Sequence, residues 1–374
     1  MNGPQPNAHL IGKRDGRQRL ATPALIVEVP LLEENLQTAA RLAKAAGKNL
    51  RPHFKAHKSL EIAERQISLG AVGISVATVT EAEAVSGLGT DILLTSVIST
   101  PAQQGRIADL AAEGSAITLV LDSPEAFASL ERELRDRDTA LDILIDVDMG
   151  RSRSGCVTIE DAQILAEQVD KSEQVRFRGL QTYAGQLSHM RSYAERKREH
   201  LKTLNLINSF QAALSGIWPD NATVSGGSTG SMNIDLDGPL TELQCGSYAL
   251  MDVEYLNIES GWEAWPFEQA VFVQSSVLSA NWPNHVVTDA GDKWFRSKYN
   301  TAPVVTGAGA RRQLELLSDE HARLNTKGTS RPSVGDRIEC IPPHCDPTIG
   351  LYSAIHACDG DELIEIWPTQ ARGQ

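Results

Sequence analysis

Short β-branched runs alternate with amphipathic helical stretches from about residue 30 to residue 258, and this alternation constrains the fold more than any other feature. Helical stretches such as "SLEIAERQISLG" and "TIEDAQILAEQVD" separate most of the runs. Eight strands with helical crossovers predict an α/β protein containing a (β/α)8 barrel, a fold of about 250 residues. A doubly wound open sheet is the alternative that the same pattern allows. The eight strand candidates are "NLRPHFKA", "GISVAT", "DILLTSVI", "AITLVLD", "LDILIDVDMG", "VRFRGLQTYAG", "ATVSGG" and "ELQCGSYALM".

The helical alternation stops after about residue 258. The segments "QAVFVQSSVLSANW", "HVVTDAG", "QLELLSDEHARL", "DRIECIPPH" and "DELIEIWP" are typical of strands joined by Gly, Pro and Asp turns. The strand-like "TPALIVEV" near the N-terminus can join them. The chain is therefore predicted to have three parts: residues 1–28 as an N-terminal arm and a strand of the β domain, residues 29–258 as the barrel, and residues 259–374 as a smaller β domain.

Composition and charge exclude several classes of protein. The net charge of -13 and the pI of about 5.2 argue against the basic surface that a broad nucleic-acid interface needs. No apolar run approaches the roughly 18 residues of a transmembrane helix, and the polar N-terminus has no apolar core like that of a signal peptide. The five scattered cysteines suit reduced thiols. We expect a soluble cytoplasmic protein without nucleic-acid or membrane partners.

Polar and Gly-rich segments collect where the predicted barrel strands end. The first strand ends at "HFKAHK", the fifth at "DVDMGRSRSG", the sixth at "QTYAGQLSH", the seventh at "SGGSTG" and the eighth at "QCGSY". Barrel enzymes carry their chemistry at the C-terminal ends of the strands, so these five segments are expected to converge on one rim. That convergence predicts an enzyme.

The segment "VSGGSTGS" at residues 224–231 follows a strand and offers backbone N–H groups with little side-chain bulk. Such a loop can bind a phosphate. It is neither a Walker sequence nor a GxGxxG fingerprint, and alone it is equally well explained as a plain turn. The neighbouring "CGSY" at residues 245–248 favours a phosphate site.

A phosphate site together with a lysine on the first strand indicates pyridoxal phosphate. A lysine amine reacts with the aldehyde of this cofactor, and burial would lower the pKa of the amine. Lys55 is predicted in the strand and Lys58 in the following turn, where a solvated charge is the simpler interpretation. Arg153 is a candidate partner of the pyridine nitrogen; a salt bridge at a strand end is its alternative.

The segment "PPHCDPT" near the C-terminus offers two candidate metal ligands. His344 and Asp346 are expected on the same side of an extended segment, with Cys345 pointing the other way. Two ligands alone do not define a metal site, and a polar turn fixed by Pro343 and Pro347 is the alternative.

Eight segments occur in the order found in low-specificity D-threonine aldolases, and the sequence resembles that family past residue 20. The wider group includes D-serine dehydratase and 3-hydroxy-D-aspartate aldolase. The resemblance implies the alanine-racemase type of fold, which is a barrel carrying pyridoxal phosphate and a β domain. The segments are "RPHFKAHK", "DVDMGRSRSG", "GLQTYAGQLSH", "VSGGSTGS", "TELQCGSYALMD", "DAGDK", "SDEH" and "PPHCDPT".

The resemblance also implies roles for single residues. Lys55 would bind the cofactor covalently, Arg153 would face the pyridine nitrogen, and Tyr183 would lie near the phosphate or the ring. His189 matches a histidine near the substrate. The residues that match the phosphate-binding loops are Gly227, Ser228, Thr229, Gly230, Gly246, Ser247 and Tyr248.

His344 and Asp346 match a pair that binds a divalent cation, commonly manganese, with magnesium or zinc as other options. The dehydratases carry a cysteine where this chain has Asp346. The chain also departs from the aldolase pattern, since Ala184 stands where a histidine is usual and "PTIGLYSA" replaces a more polar stretch.

These implications predict an aldolase that depends on pyridoxal phosphate and a divalent metal. It would cleave D-3-hydroxy amino acids to glycine and an aldehyde, with His189 as the base, and fold relatives suggest a homodimer. The alternatives are a D-serine or 3-hydroxy-D-aspartate dehydratase, which yields ammonia and a keto acid, and a 3-hydroxy-D-aspartate aldolase. A non-catalytic pyridoxal phosphate carrier is disfavoured by the second domain and by "PPHCDPT".

Overall fold

The computed structural model describes residues 5–297, 299–306 and 312–373. Residues 1–4 of the predicted N-terminal arm and residues 298, 307–311 and 374 of the predicted β domain lie outside it. The strands are β1 Ala24–Glu28, β2 Asn49–Leu50, β3 Ile74–Val76, β4 Ile92–Leu94, β5 Ile117–Leu121, β6 Leu141–Val147, β7 Val175–Thr182, β8 Thr223–Gly226, β9 Glu242–Leu243, β10 Val271–Ser279, β11 His285–Thr288, β12 Val304–Val305, β13 Arg312–Leu316, β14 Ala322–Asn325, β15 Arg337–Ile341, β16 Ala354–Asp359 and β17 Glu362–Pro368. The helices are α1 Val29–Ala45, α2 Leu60–Ser68, α3 Val79–Val85, α4 Pro101–Ala112, α5 Pro124–Asp136, α6 Ile159–Asp170, α7 Tyr193–Ala213, α8 Met232–Asp235, α9 Val253–Leu256 and α10 Cys345–Ile349.

The eight strands β2 to β9 form one parallel sheet in the order β2-β9-β8-β7-β6-β5-β4-β3. The chain just after β2 closes this sheet on β3, through a parallel bridge between His53 and Ser75. The Ser75 N–H donates to the Pro52 carbonyl at 2.9 Å, and the Val72 N–H donates to the Leu50 carbonyl at 3.0 Å. The prediction of a (β/α)8 barrel is confirmed, and the open doubly wound sheet is wrong.

The helices between these strands begin where the sequence provides side-chain caps. Ser59, Thr78, Thr100 and Ser192 each accept a backbone N–H of the first turn of their helix. Thr158 and the Asp161 side chain form a reciprocal capping box at the start of α6. These caps fix where five of the helices start, and because the eight strands are parallel, their C-terminal ends lie on one rim.

The second sheet is antiparallel apart from one pair, and it contains a closed ring of six strands. β10 pairs with β11 and β15, and the ring continues through β14, β13 and β12. β1 adds to this sheet beside β10 and also pairs in parallel with β16, which in turn pairs with β17. The predicted smaller β domain is confirmed as a fold, and β1 is one of its strands.

Two strands of the β domain do not follow from the sequence pattern. β12 has two residues, and β16 with the sequence AIHACD contains one β-branched residue, so neither has the period-2 pattern of a strand. The predicted strand "QLELLSDEHARL" is instead the two strands β13 and β14 joined by a turn.

The described residues contain no helix long and apolar enough to span a bilayer. All five cysteines are buried free thiols.

Candidate active site

A cavity of about 160 Å³ opens at the C-terminal ends of the barrel strands. The segments that were expected to converge do meet there, and α10 of the β domain closes one side. Eleven of the predicted site residues line the cavity: Lys55, Arg153, Tyr183, His189, Gly227, Ser228, Thr229, Gly246, Ser247, His344 and Asp346.

Lys55 lies in a single 3-10 turn, Phe54–Ala56, that follows β2. The expectation that Lys55 sits within the strand is therefore wrong, because hydrogen bonding of the strand ends earlier. Its amine lies 3.7 Å from the Asp346 carboxylate and 5.9 Å from the centre of the Tyr183 ring. The amine of Lys58 is instead bound by the Glu81 carboxylate at 2.5 Å and the Ala371 carbonyl at 2.9 Å. Lys55 is thus the lysine that reaches the cavity floor.

The expectation that burial lowers the pKa of Lys55 needs correction. Burial does lower the pKa, but the carboxylate of Asp346 and the Tyr183 hydroxyl oppose it, so the pKa ends above the ordinary lysine value. In the absence of any other bound group, Lys55 is an ammonium paired with Asp346.

The loops after β8 and β9 bring a cradle of backbone N–H groups to the cavity. The N–H groups of Thr229, Gly230, Gly246 and Ser247 make no hydrogen bond to another described residue, whereas those of Ser228, Ser231 and Tyr248 do. The hydroxyl of Ser228 lies beside them in the lining. Free N–H groups that converge in a concave loop bind anions, so this phosphate cradle (the loops 227–231 and 246–247) fits a phosphate.

Two predicted members of the cradle lie differently. A Cβ at Gly230 would come within 1.9 Å of the Ser188 carbonyl, so the absence of a side chain there serves a close backbone contact. The Tyr248 side chain points away from the cavity, and its hydroxyl accepts from the Gln66 amide at 3.3 Å. Only its backbone takes part, because the Tyr248 N–H donates to the Thr229 hydroxyl at 3.0 Å.

Arg153 belongs to the loop between β6 and α6, and its side chain lines the cavity. The Asp148 carboxylate folds this loop by accepting the N–H groups of Arg151 at 2.9 Å and Ser152 at 3.1 Å. The guanidinium of Arg153 then lies 5.2 Å from the centre of the Tyr183 ring. The two side chains form one wall that a flat ring could contact.

His344 and Asp346 both line the cavity, although the segment is not extended. His344 is extended, but α10 starts at the next residue and Asp346 lies in its first turn. Asp252 fixes His344, since its carboxylate oxygen accepts from Nδ1 of His344 at 2.8 Å and from the Cys345 N–H at 2.9 Å. Burial lowers the pKa of His344, but the hydrogen bond and the charge of Asp252 raise it to about 9, so a metal at Nε2 would have to displace the proton of that nitrogen.

Among the described residues there are two groups of three side chains that could hold a metal ion. Within each group the potential ligand atoms lie within 4.8 Å of one another. One is His189, Glu254 and His344, and the other is Asp252, His344 and Cys345. Asp346 belongs to neither group and contacts Lys55 and the Ser247 hydroxyl. His344 is therefore the residue that the two groups share, and it is also one of the two predicted ligands.

His189 lies beside His344, on the segment that follows β7. The two imidazole rings are 5.5 Å apart, and the ring of His189 is 4.8 Å from that of Tyr255 and 4.9 Å from that of Tyr299. Its Nδ1 atom is 3.8 Å from the Glu254 carboxylate. A histidine held between rings and a carboxylate at the cavity wall has the position of a general base.

The structure adds site residues that the sequence did not indicate. Asp252 and Glu254 face the histidines from α9 and the residue before it. His53 donates from Nε2 to the Thr95 hydroxyl at 3.2 Å, because that hydroxyl donates its own hydrogen to the Val76 carbonyl. Burial and the nearby Lys55 hold the pKa of His53 well below its ordinary value, so the ring is neutral.

A second cavity of about 440 Å³ adjoins the first and shares Lys55, His344 and Asp346 with it. Arg296 and Pro347 stand at its outer side. The backbone of Arg296 is anchored to α10, since its N–H donates to the Thr348 hydroxyl at 3.1 Å. The two cavities together thus border Lys55, His344 and Asp346.

Residues 27–252 match the family described as "Alanine racemase, N-terminal domain", and residues 270–358 match the "Putative serine dehydratase domain". The chain therefore belongs to the alanine racemase N-terminal domain family. This type of fold implies a dependence on pyridoxal phosphate.

Among characterised relatives the chain is similar to aldolases over nearly its whole length. It is 33% identical over 365 residues to the 3-hydroxy-D-aspartate aldolase of Paracoccus denitrificans (strain Pd 1222), covering 95% of this chain and 93% of that one. It is 32% identical over 370 residues to the D-threonine aldolase of an Arthrobacter species, covering 96% and 94%.

Solved structures agree with these similarities. The D-threonine aldolase from Filomicrobium marinum superposes with a TM-score of 0.91 at 33% identity, covering 95% of this chain and 97% of that chain. The D-threo-3-hydroxyaspartate dehydratase from Delftia sp. HT23 shares the fold, with a TM-score of 0.81 at 23% identity and coverages of 94% and 98%. The predicted resemblance is confirmed, and the chain is an enzyme of the carbon–carbon lyase type found in its aldolase relatives.

Proposed function

We propose that this protein is an aldolase that cleaves D-3-hydroxy amino acids of the D-threonine type to glycine and an aldehyde, with pyridoxal phosphate and a divalent cation. One observation carries the proposal: Lys55, the phosphate cradle and His344, which Asp252 fixes from behind, all face a single cavity. The similarity to two aldolases over more than nine-tenths of the chain supports it.

The cavity fits pyridoxal phosphate in two respects. The phosphate cradle would hold the phosphate, and a Cβ at Gly246 would approach the Ala56 Cβ to 2.9 Å, so only glycine lets this part of the cradle pack on the turn that carries Lys55. Lys55 is the lysine in reach of the aldehyde, and Arg153 and Tyr183 would hold the ring. When bound, this cofactor takes up the electron pair that is released at Cα as a bond to Cα breaks.

The histidines and carboxylates supply the proton transfers. His189 is proposed to accept the proton of the substrate β-hydroxyl, and Glu254 at 3.8 Å would stabilise the imidazolium that results. Loss of that proton drives cleavage of the Cα–Cβ bond, and the aldehyde leaves through the second cavity. Lys55 would then stand ready to return a proton to Cα, which gives glycine.

We place the divalent cation, with manganese first and magnesium or zinc as alternatives, at His344 and Asp346 beside the substrate hydroxyl. Nε2 of His344 is directed by the Asp252 carboxylate, an outer partner of the kind that metal-binding histidines have. Burial would raise the pKa of Asp346, but His344 and Lys55 lower it below the ordinary value, so the carboxylate is available as an anionic ligand.

A product assay tests the proposal. The enzyme, with pyridoxal phosphate, is given D-threonine, D-serine and 3-hydroxy-D-aspartate with and without a chelator. Equal amounts of glycine and aldehyde are expected, lost on chelation and restored by manganese. Ammonia and a keto acid would instead identify a dehydratase, and the absence of turnover for all three would leave the proposal without support.

A second candidate substrate, 3-hydroxy-D-aspartate, is favoured by Arg296 at the second cavity. A guanidinium there can pair with the additional carboxylate of this substrate, which D-threonine lacks. Arg296→Ala is expected to lower kcat/KM for 3-hydroxy-D-aspartate about tenfold relative to that for D-threonine. Lys293→Ala, which removes an exposed cation outside both cavities, is the matched control. An equal effect on both substrates would argue against this pairing.

We further propose that the enzyme works as a homodimer in the cytoplasm, on a small-molecule substrate and without nucleic-acid or membrane partners. The five buried thiols and the acidic composition support the compartment and the partners. The resemblance to the alanine-racemase type supports the dimer, which sedimentation analysis would test.

A further inference from the structure

Three buried polar side chains lie directly behind the phosphate cradle. His200, in the middle of α7, contacts one oxygen of Asp235 through Nε2 at 2.5 Å. The second oxygen of Asp235 accepts from the Ser231 hydroxyl at 2.6 Å. His200 is 5% exposed, Asp235 is fully buried and Ser231 is 3% exposed. A carboxylate only accepts, so the proton of this contact is on Nε2 of His200.

Ser231 transmits this arrangement to the cradle. Its single hydroxyl proton is donated to Asp235, so its oxygen accepts the backbone N–H of Ser228 at 3.1 Å. Asp235 also packs against the start of the loop, since a Cβ at Gly227 would come within 2.7 Å of its carboxylate oxygen. Both ends of the segment 227–231 are thereby fixed to one carboxylate.

Asp235 places a negative charge directly behind the phosphate cradle. A carboxylate beside a phosphate site repels the ligand unless its negative charge is taken up elsewhere. Here both oxygens are engaged by donors on the side away from the cavity, His200 and Ser231. Without His200, the buried Asp235 carboxylate would lose a hydrogen-bond donor, and the loop 227–231 would be held less firmly. The loss of stability would be that of a hydrogen bond to a charged group.

We propose that His200, Asp235 and Ser231 form a positioning relay that holds the phosphate cradle open and sets the affinity for the phosphate of the cofactor. The inference rests on the pyridoxal phosphate part of the proposed function. It assigns a role to three residues that do not line the cavity, and it concerns the phosphate alone, because the relay contacts neither Lys55 nor the wall formed by Arg153 and Tyr183.

The experiment compares two ligands of cofactor-free protein, pyridoxal phosphate and pyridoxal, which differ by the phosphate. His200→Ala is expected to raise the Kd for pyridoxal phosphate about ten- to a hundredfold and to leave the Kd for pyridoxal unchanged. His200→Gln, whose amide can donate from a similar position, is expected to recover most of the affinity. Lys202→Gln, an exposed change on the same helix, is the control and should match the unaltered protein.

The outcomes separate this inference from the proposed function. Equal losses for both ligands, or unchanged binding of pyridoxal phosphate by His200→Ala, would overturn the relay while the unaltered enzyme still binds its cofactor. Failure of the unaltered protein to bind pyridoxal phosphate would overturn the proposed function and the relay together. If His200→Ala does not fold, Ser231→Ala removes the smaller link, and it should show the same selective loss for the phosphate ligand.

Discussion

Lys55→Ala is expected to lower the rate of aldol cleavage by about 10⁴-fold or more, because the chemistry then has no amine in reach of the cofactor aldehyde. Lys55 extends from its 3-10 turn to within 3.7 Å of Asp346 in the cavity. The variant should also lose covalent cofactor, which borohydride reduction followed by peptide mapping measures directly. In the unaltered enzyme the modified peptide should contain Lys55.

Lys58→Met provides the comparison, since Lys58 is three residues away and its amine is held by Glu81 and the Ala371 carbonyl. This variant should retain covalent cofactor, with a lower melting temperature because the buried Glu81 loses its cation. Cofactor attached at Lys58, or persistent attachment in Lys55→Ala, would refute the assignment of the reactive lysine.

His344→Ala is expected to abolish the activity that a divalent cation restores after chelation. His344 belongs to both groups of potential ligands within 4.8 Å in the described part of the chain. Asp252→Asn should have a smaller effect and raise the Kd for manganese about 10- to 100-fold, because the outer carboxylate orients the ring and increases its basicity. Manganese titration of chelated enzyme, read by activity and by calorimetry, distinguishes the two variants.

His285→Gln is the matched histidine control, because His285 lies on β11 stacked on Trp282 and away from the cavity. It should titrate like the unaltered enzyme. A His344→Ala variant that binds manganese with unaltered affinity would disprove the proposed metal site. If His189→Ala lost metal binding as strongly as His344→Ala, His189 would be a ligand and another group would have to act as the base.

The barrel and its rim could be predicted because their signals are local. Strand candidates, caps and glycines each occupy a few consecutive residues, and parallel strands carry the ends of all eight to one side. That rule places the segments with Lys55 and the phosphate cradle at this rim, but it does not choose Lys55 over Lys58, because Lys55 lies in a 3-10 turn and not in the strand. The candidate metal ligands His344 and Asp346 were proposed from residue type, and a short helix replaces the predicted extended segment.

The supporting residues could not be predicted, because their partners are distant in sequence. Asp252 orients His344 across 92 positions, and Asp235 meets His200 across 35 positions on a different helix. Asp235 stands in none of the quoted segments, and Asp252 closes "TELQCGSYALMD" without any sign in the sequence that it contacts His344. Likewise, β16 became a strand because β1 and β17 flank it, a tertiary effect that outweighs its weak propensity.

The pairing of β1 with β10 and β16 also determines at which stage of synthesis the β domain can fold. During synthesis β1 leaves the ribosome first, yet its neighbours in the sheet, which contact Ala24 to Glu28, come after the entire barrel. The barrel can assemble while β1 has no partner, whereas the β domain can assemble only after β16 has been translated. α10, which carries Asp346, precedes β16 by a few residues, so a nascent chain gains a finished cavity only after all eight barrel strands and the strands β10 to β15 have been translated.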